Sequence, residues 1–410
     1  MPRLFIIINK MEFKNRVIYS SRLEPYIDKG IIKVLTGQRR VGKSCVLQQM
    51  MRSIQQKNIH ANIIYINKED DEFRDIQTDI DLSAFVAKKL VKGKKNYLFI
   101  DEIQDISNFE NTLRSLQATE QCDIFCTGSN AKMLSSELST YLSGRYMEFR
   151  IHSLSFVEFM EFHKLENNDE TLKKFLIYGG MPHLSRLTLN NEIAFEYLKN
   201  VYSTILLKDV VSRENIRNVD FLETLVNYLA DNVGSLFSAN NIHKFLKNQR
   251  VEISVNVIVN YLKALSNAYI INKVQRIDVK GLKKFEIGDK YYFEDLGLRN
   301  CQQHLEFSLD INKLMENAVY QHLKIHNYQV YVGKLGNCEI DFVGIKNDTR
   351  VYIQVAYLID GAKTHEREFG NLLKIENSYP KYVVTMDHFG SNYKGIKHIH
   401  LREFLMMTEF

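Results

Sequence analysis

The stretch IIKVLTGQRRVGKS, residues 31–44, decides the fold. A short apolar run leads into GQRRVGKS at 37–44, which fits G-x-x-x-x-G-K-[ST], and a helical segment follows. Gly37 and Gly42 let successive backbone N–H groups curl around phosphate oxygens. The helix starting near Lys43 adds its positive end. Lys43 is expected to reach the β- and γ-phosphates, and the Ser44 hydroxyl to ligate Mg2+. Arg40, inside the loop, and Cys45, just after it, are placed with the nucleotide rather than with catalysis. A chance match is the alternative, and the strand–loop–helix context argues against it.

The second half of such a site is an acid at the end of an apolar strand. NYLFIDEIQ, residues 96–104, supplies it, with Asp101 standing 58 residues beyond Lys43. Asp101 is expected to hold Mg2+ through its water shell, and Glu102 to polarise an attacking water as a general base. A lone Asp-Glu pair reads as a solvated strand cap; its pairing with the phosphate loop shifts the reading to catalysis. The next strand, DIFCTGSN at 123–130, is expected beside the loop, bringing Ser129 or Asn130 toward the γ-phosphate, with an ordinary polar turn as the alternative. Arg145, in YLSGRYMEF at 141–149, is expected to sense or neutralise γ-phosphate charge, in cis or from a neighbouring subunit. A surface salt bridge is the plainer reading of it.

Working outward, 410 residues exceed one ordinary core, so about two to four domains are expected. Hydrophobic content of 45% and charged content of 25% suit a soluble globular chain. A net charge of +5 permits a nucleic-acid partner without demanding one. The five cysteines form no C-x-x-C pair. Reduced thiols in a cytoplasmic protein are therefore expected, rather than a disulfide framework or structural zinc. No run is long enough for a transmembrane helix, so no membrane partner is expected. The opening MPRLFIIINK lacks a small-residue cleavage site, and Met11 leads naturally into the first domain, so residues 1–10 are expected to be an upstream start.

From 31 to about 150 the apolar runs IIKVLTG, ANIIYIN, NYLFIDE and CDIFCTGS alternate with helical segments, which predicts a parallel α/β sheet. From about 153 the periodicity becomes helical, with Ser153 or Ser155 capping the helix of SFVEFMEFHKL. Residues 219–298 read as about three helices, the third expected at 256–274 with Lys263 exposed. The end of this region, YIINKVQRIDVKGLKKFEIGDKYYFED at 269–295, alternates about a glycine turn and reads as a hairpin. Helices followed by such a two-stranded wing predict a winged-helix module. Lys280, Lys283 and Lys284 cluster on the wing, where they meet DNA phosphates or form a solvated turn.

Taken in order, GQRRVGKS, LFIDEIQ, CTGSN, LSGRYMEFRIHSLSFVEF and YGGMP resemble the prokaryotic AAA-type ATPases with an appended C-terminal domain of unknown function. The likeness continues through ILLKDVVSR, ENAVYQHL, GNCEIDFV and YIQVAY, covering nearly the whole chain after about residue 14. The resemblance implies an N-terminal segment at 1–30 and an α/β core at 31–150, a P-loop NTPase parallel sheet. It implies a helical lid and linker at 151–215, a winged-helix module at 216–300, and a small α/β restriction-endonuclease-like domain at 301–410. ATP and Mg2+ are the cofactors it implies.

The last domain raises its own question. EIDFVGIKNDTRVYIQVAY, residues 339–357, reads as a hairpin with Asp341 on one strand and Gln354 on the next. A metal-dependent nuclease of this fold asks for an acid on the preceding helix, an acid on a strand, and Glu-x-Lys on the next strand. Glu316, Asp341 and Gln354 take the first three places, and Glu339 shares the strand face of Asp341. Ala356 stands where the lysine would. A neutral glutamine is a weaker Mg2+ ligand, and alanine cannot favour an attacking hydroxide. Lys334 or Lys363 is a substitute from elsewhere. The domain therefore reads as a binding or structural platform with a degenerate catalytic corner.

The expected function is a Mg2+-dependent ATPase that couples nucleotide state to a nucleic-acid or protein partner, as a homo-oligomer if Arg145 acts in trans. An ATP-gated DNA nuclease using the C-terminal domain is one alternative. A nucleotide-dependent binding module with negligible turnover is the other.

Overall fold

A computed structural model describes residues 14–131, 142, 144–248, 253–285, 288–302, 306–388 and 391–410. The expected upstream start lies outside them. The chain divides into two compact units between His152 and Ser153. Among the described residues, no helix is long and apolar enough to cross a membrane.

The first unit is built on β1 (Ile32–Thr36), β2 (Asn62–Asn67), β3 (Asn96–Asp101), β4 (Asp123–Gly128) and β5 (Tyr146–Arg150). All run parallel in the order β2-β3-β4-β1-β5. The parallel α/β sheet of the sequence reading is present, with YMEFR added as a fifth, edge strand. The central strands are buried on both faces, which is why they read as unbroken apolar runs. Helices Lys43–Lys57, Asp79–Lys89 and Phe109–Ala118 accompany them. One charge breaks the apolar pattern: Lys33 of β1 is fully buried, ion-paired to Asp123 and 4.1 Å above the Phe125 ring.

The second unit begins with helices Phe156–His163, Asp169–Tyr178 and Asn191–Thr204. Ser155 is the first cap: its hydroxyl accepts from the Glu158 N–H, and the Glu158 carboxylate accepts from the Ser155 N–H. YGGMP follows the second helix at a crowded junction. The Gly180 N–H donates to Asp295, and a side chain at Gly180 would meet the Leu154 carbonyl oxygen at 2.4 Å. Only glycine fits there.

Helices Val219–Asp231, Ala239–Asn248 and Val255–Asn267 come next. The third stops at Asn267 instead of running to 274, because Tyr269 takes a left-handed conformation (φ 56°) and the chain turns into a strand. The strands that follow are β6 (Ile271–Val274), β7 (Arg276–Asp278) and β8 (Lys290–Phe293). β6 and β8 pair antiparallel as a two-stranded sheet.

β7 does not belong to that hairpin. It pairs in parallel with β9 (Gln329–Leu335), at the edge of a mixed six-stranded sheet. The rest of that sheet is β10 (Cys338–Lys346), β11 (Thr349–Val355), β12 (Lys381–Thr385) and β13 (Lys397–His400), in the order β13-β12-β11-β10-β9-β7. The cause is burial: Ile277 and Val279 complete the apolar cluster of Ile340, Val343 and Tyr352. Residues 269–295 thus contribute to two sheets, the β6–β8 pair and the edge of the six-stranded sheet, rather than to a single hairpin. Lys280, Lys283 and Lys284 are exposed, as is Lys263 on the third helix.

Candidate nucleotide site and the C-terminal acidic corner

Every part of the first site lies at the C-terminal end of the parallel sheet, where ligands of open α/β sheets bind. Gly37 leaves β1 with φ 138°, and a Cβ there would meet the Ile151 carbonyl oxygen at 2.1 Å. Gly42 caps the following helix with φ 96°, and no acid occupies that helix's first turn, so its positive end is uncompensated. Lys43 is buried; its ammonium donates to the carbonyls of Gly37 and Gln38, both at 3.1 Å. Arg40 and Cys45 are exposed on the same loop and helix start.

The acidic half stands two strands away and is tied in through β4. Thr127, fully buried on β4, donates its hydroxyl to Asp101 and accepts the Glu102 N–H at 2.9 Å. Asp101 also takes a hydrogen bond from Ser44, so the two residues expected to hold Mg2+ already face each other. Burial pushes the Asp101 carboxyl above its ordinary value, against the pull of Thr127 and Ser44. Burial acts the same way on Glu102, but there the Lys43 charge, the Gln104 amide and Arg39 outweigh it and hold the carboxyl below its ordinary value. Glu102 sits at φ 57°, an unusual conformation for a side-chain-bearing residue. Its Oε2 accepts from the Gln104 amide, and its Oε1 lies 3.9 Å from Lys43 Nζ. Ser129 also hydrogen-bonds to Glu102, and Ser129 and buried Asn130 follow Gly128, which pairs with Thr36 at the base of the loop.

This arrangement fits a Mg2+–nucleotide: a glycine-shaped cradle, an ammonium, and a hydroxyl–carboxylate pair. The chain matches the family model described as "AAA domain" over residues 29–160, and a domain of unknown function (DUF8612) over 169–309. It is similar to an uncharacterized protein of Haemophilus influenzae, 34% identical over 96% of this chain and 98% of that protein. The chain belongs to this AAA-domain family. An uncharacterized protein of Methanocaldococcus jannaschii is 31% identical over 93% of this chain and 88% of its own length. Among solved structures, Aeropyrum pernix ORC1 in complex with DNA is 12% identical over 74% of this chain and 96% of that one, with a TM-score of 0.32. Cdc6p of Pyrobaculum aerophilum is 10% identical over 77% and 98%, with a TM-score of 0.33.

Within the AAA domain, Arg145 is misplaced for its expected role in cis. Its carbonyl accepts the Ile32 N–H at 2.9 Å, so it stands at the N-terminal end of β1. The phosphate loop leaves from Thr36, roughly 13 Å of strand away. Arg145 is exposed at that N-terminal end. A further arginine, Arg150, stands at the phosphate-loop end, where it closes β5 opposite Thr36. It went unread because its strand was not predicted. Thr127 and Gln104 also went unread, since a threonine inside an apolar strand and a glutamine after one carry no motif.

The C-terminal AAA-family extension brings together residues that the sequence kept apart. Glu316, on the helix Phe307–Ile325, and Glu339 and Asp341, on β10, converge with Gln354 of β11. At their centre is Lys290 of β8, whose Nζ lies 2.9 Å from Glu339, 3.1 Å from Glu316 and 3.8 Å from Asp341. Neither Lys334 nor Lys363 takes that position; Lys334 lies over the Phe285 ring at 5.2 Å. Burial, reinforced by Glu316, raises the Asp341 carboxyl well above its ordinary range.

A second group, Asp169, His388 and His400, offers ligand atoms within 4.8 Å of one another. However, His400 Nδ1 already accepts the Arg402 N–H, which leaves the proton on Nε2, and the Arg402 guanidinium lies 3.1 Å from Asp169. That geometry suits a hydrogen-bonded ion pair rather than a cation site.

Proposed function

We propose that this chain is a Mg2+-dependent ATPase whose nucleotide state is coupled, through its second unit, to a macromolecular partner. The observation that carries this is the bridge Ser44–Asp101–Thr127–Glu102, which sets a candidate metal ligand and a candidate base side by side next to Lys43. Gly37, Gly42 and Lys43 would hold the phosphates, with Arg40, Cys45 and Asn130 around them. Ser44 and Asp101 would hold the metal, whose contribution is to neutralise charge on the phosphates. Glu102, kept ionised by its neighbours, would accept the proton of the attacking water. In trans, Arg145 would supply charge to a neighbour's nucleotide, which makes a homo-oligomer part of the proposal.

Release of phosphate from ATP by the wild-type protein and by Glu102→Gln tests the reading. Turnover in the wild type and its loss in the variant support it; full turnover by Glu102→Gln removes the base. The alternative of a binding module with slow turnover is favoured by one feature: both Glu102 oxygens face protein donors, Gln104 on one side and Lys43 on the other.

For the second unit we propose a helical lid at 151–215, a winged-helix segment around 216–300 and an endonuclease-like platform beyond it. Its exposed Lys280 and Lys283 suit contact with nucleic-acid phosphates in the cytoplasm. Duplex DNA titrated at several salt concentrations tests this: salt-insensitive binding, or none, points to a protein partner.

A further inference from the structure

We propose that the buried ammonium of Lys290 takes the place of a divalent cation in the C-terminal acidic corner, closing it to metal and bracing β8 against β10. A metal-dependent nuclease of this shape would use carboxylates from the helix and the strand to hold its ion. Here Glu316, Glu339 and Asp341 supply those carboxylates, and all three face Lys290 Nζ at 2.9–3.8 Å. Lys290 is only 2% exposed, so its charge is balanced by these neighbours and not by water.

Further donors within the protein reach the same corner. Glu316 also accepts from the Tyr292 hydroxyl, and Asp341 Oδ2 accepts the Val355 N–H at 2.9 Å. Gln354 Oε1 accepts the Asp341 N–H at 2.7 Å, while its Nε2 donates to Glu368 at 2.8 Å. That last contact explains the glutamine: a glutamate at 354 would set a carboxylate against Glu368. Mg2+ demands a near-octahedral set of oxygens, and here Lys290 and these donors hold at least one oxygen of each carboxyl group.

The same lysine joins two sheets. β8 lies outside the six-stranded sheet, and the helix Phe307–Ile325 holds it from the side. Asn317 there accepts the Phe293 N–H at 2.8 Å and donates to the Phe293 carbonyl at 2.9 Å. Tyr292 stacks on Tyr320 with centroids 4.7 Å apart. The Lys290 ion cluster extends this junction to β10.

The test is Mn2+ binding by calorimetry to the full-length, nucleotide-free protein. Asp341→Asn separates this corner from the nucleotide site. Wild type and Asp341→Asn are expected to bind Mn2+ alike. Lys290→Met is expected to gain a Mn2+ site, at least about tenfold tighter than any in the wild type. The gained site should disappear in Lys290→Met/Asp341→Asn. Wild-type Mn2+ binding that Asp341→Asn removes overturns the proposal, and so does a folded Lys290→Met that gains no site. Should Lys290→Met fail to fold, Mn2+-dependent nicking of supercoiled plasmid by the wild type decides. Nicking lost in Asp341→Asn overturns the proposal, and the absence of Asp341-dependent nicking supports it.

Discussion

Lys43 Nζ stands 3.9 Å from Oε1 of Glu102 while donating to the carbonyls of Gly37 and Gln38 at 3.1 Å. One ammonium therefore shapes the phosphate loop and sets the charge of the candidate base. Removing it should act on binding before chemistry. Lys43→Ala is expected to abolish ATP binding in a fluorescent-nucleotide titration, whereas Glu102→Gln keeps its affinity and loses about a hundredfold or more in turnover. Equal affinity of Lys43→Ala and wild type for nucleotide would falsify the loop assignment.

Gln104 donates to the other oxygen of Glu102. If that contact restrains the base, Gln104→Ala raises kcat severalfold and leaves KM unchanged. A fall in kcat at constant KM would instead make Gln104 the residue that orients Glu102.

Thr127→Val keeps the shape of the side chain and removes its hydroxyl. The Glu102 N–H then loses its acceptor and Asp101 a donor, in a fully buried setting. An unsatisfied buried group costs about 1–3 kcal/mol, so a lower Tm is expected, together with weaker Mg2+ dependence of nucleotide binding. A variant with wild-type Tm and wild-type Mg2+ response would show that the bridge is dispensable.

Asp295 carries a pH signature. Burial raises its carboxyl to about 6, against the backbone N–H donors of Gly180 and Leu298. The folded state thus holds a proton over a range in which the unfolded chain has released it. Stability from this group is fully present below about pH 4 and falls as pH rises toward 6. Asp295→Asn does not titrate, so the difference in Tm between wild type and variant isolates the effect. Wild type should lose ground to the variant from pH 4 to 6 and hold a constant offset above that range. A pH-independent difference would place the titration elsewhere.

The nucleotide half of the site was legible because its chemistry is local. The loop geometry needs glycines at 37 and 42, and the lysine and serine follow within the same turn. The acid after β3 was legible because an apolar run ending in Asp-Glu is a pattern over a few residues. Beyond that range the reading weakened. Arg145 stands near the phosphate loop in motif order, but parallel strands place residues by strand end, and it lies at the wrong one. Residues 269–295 alternate like one hairpin, but no alternation pattern specifies which edge a strand joins. Burial of Ile277 against the distant β10 chose for β7.

The sequence by itself determined a parallel α/β nucleotide fold and the residues that line its phosphate loop, because short-range backbone constraints write themselves into spacing. It also marked Asp341 and Gln354 as the corner of a nuclease-like hairpin with its lysine missing. Only the tertiary structure decided that a lysine is there after all, brought from β8 to lie among Glu316, Glu339 and Asp341. No spacing rule predicts that contact. The strand was placed by packing against the helix Phe307–Ile325, and a buried ammonium is tolerated only where a fold gathers carboxylates around it.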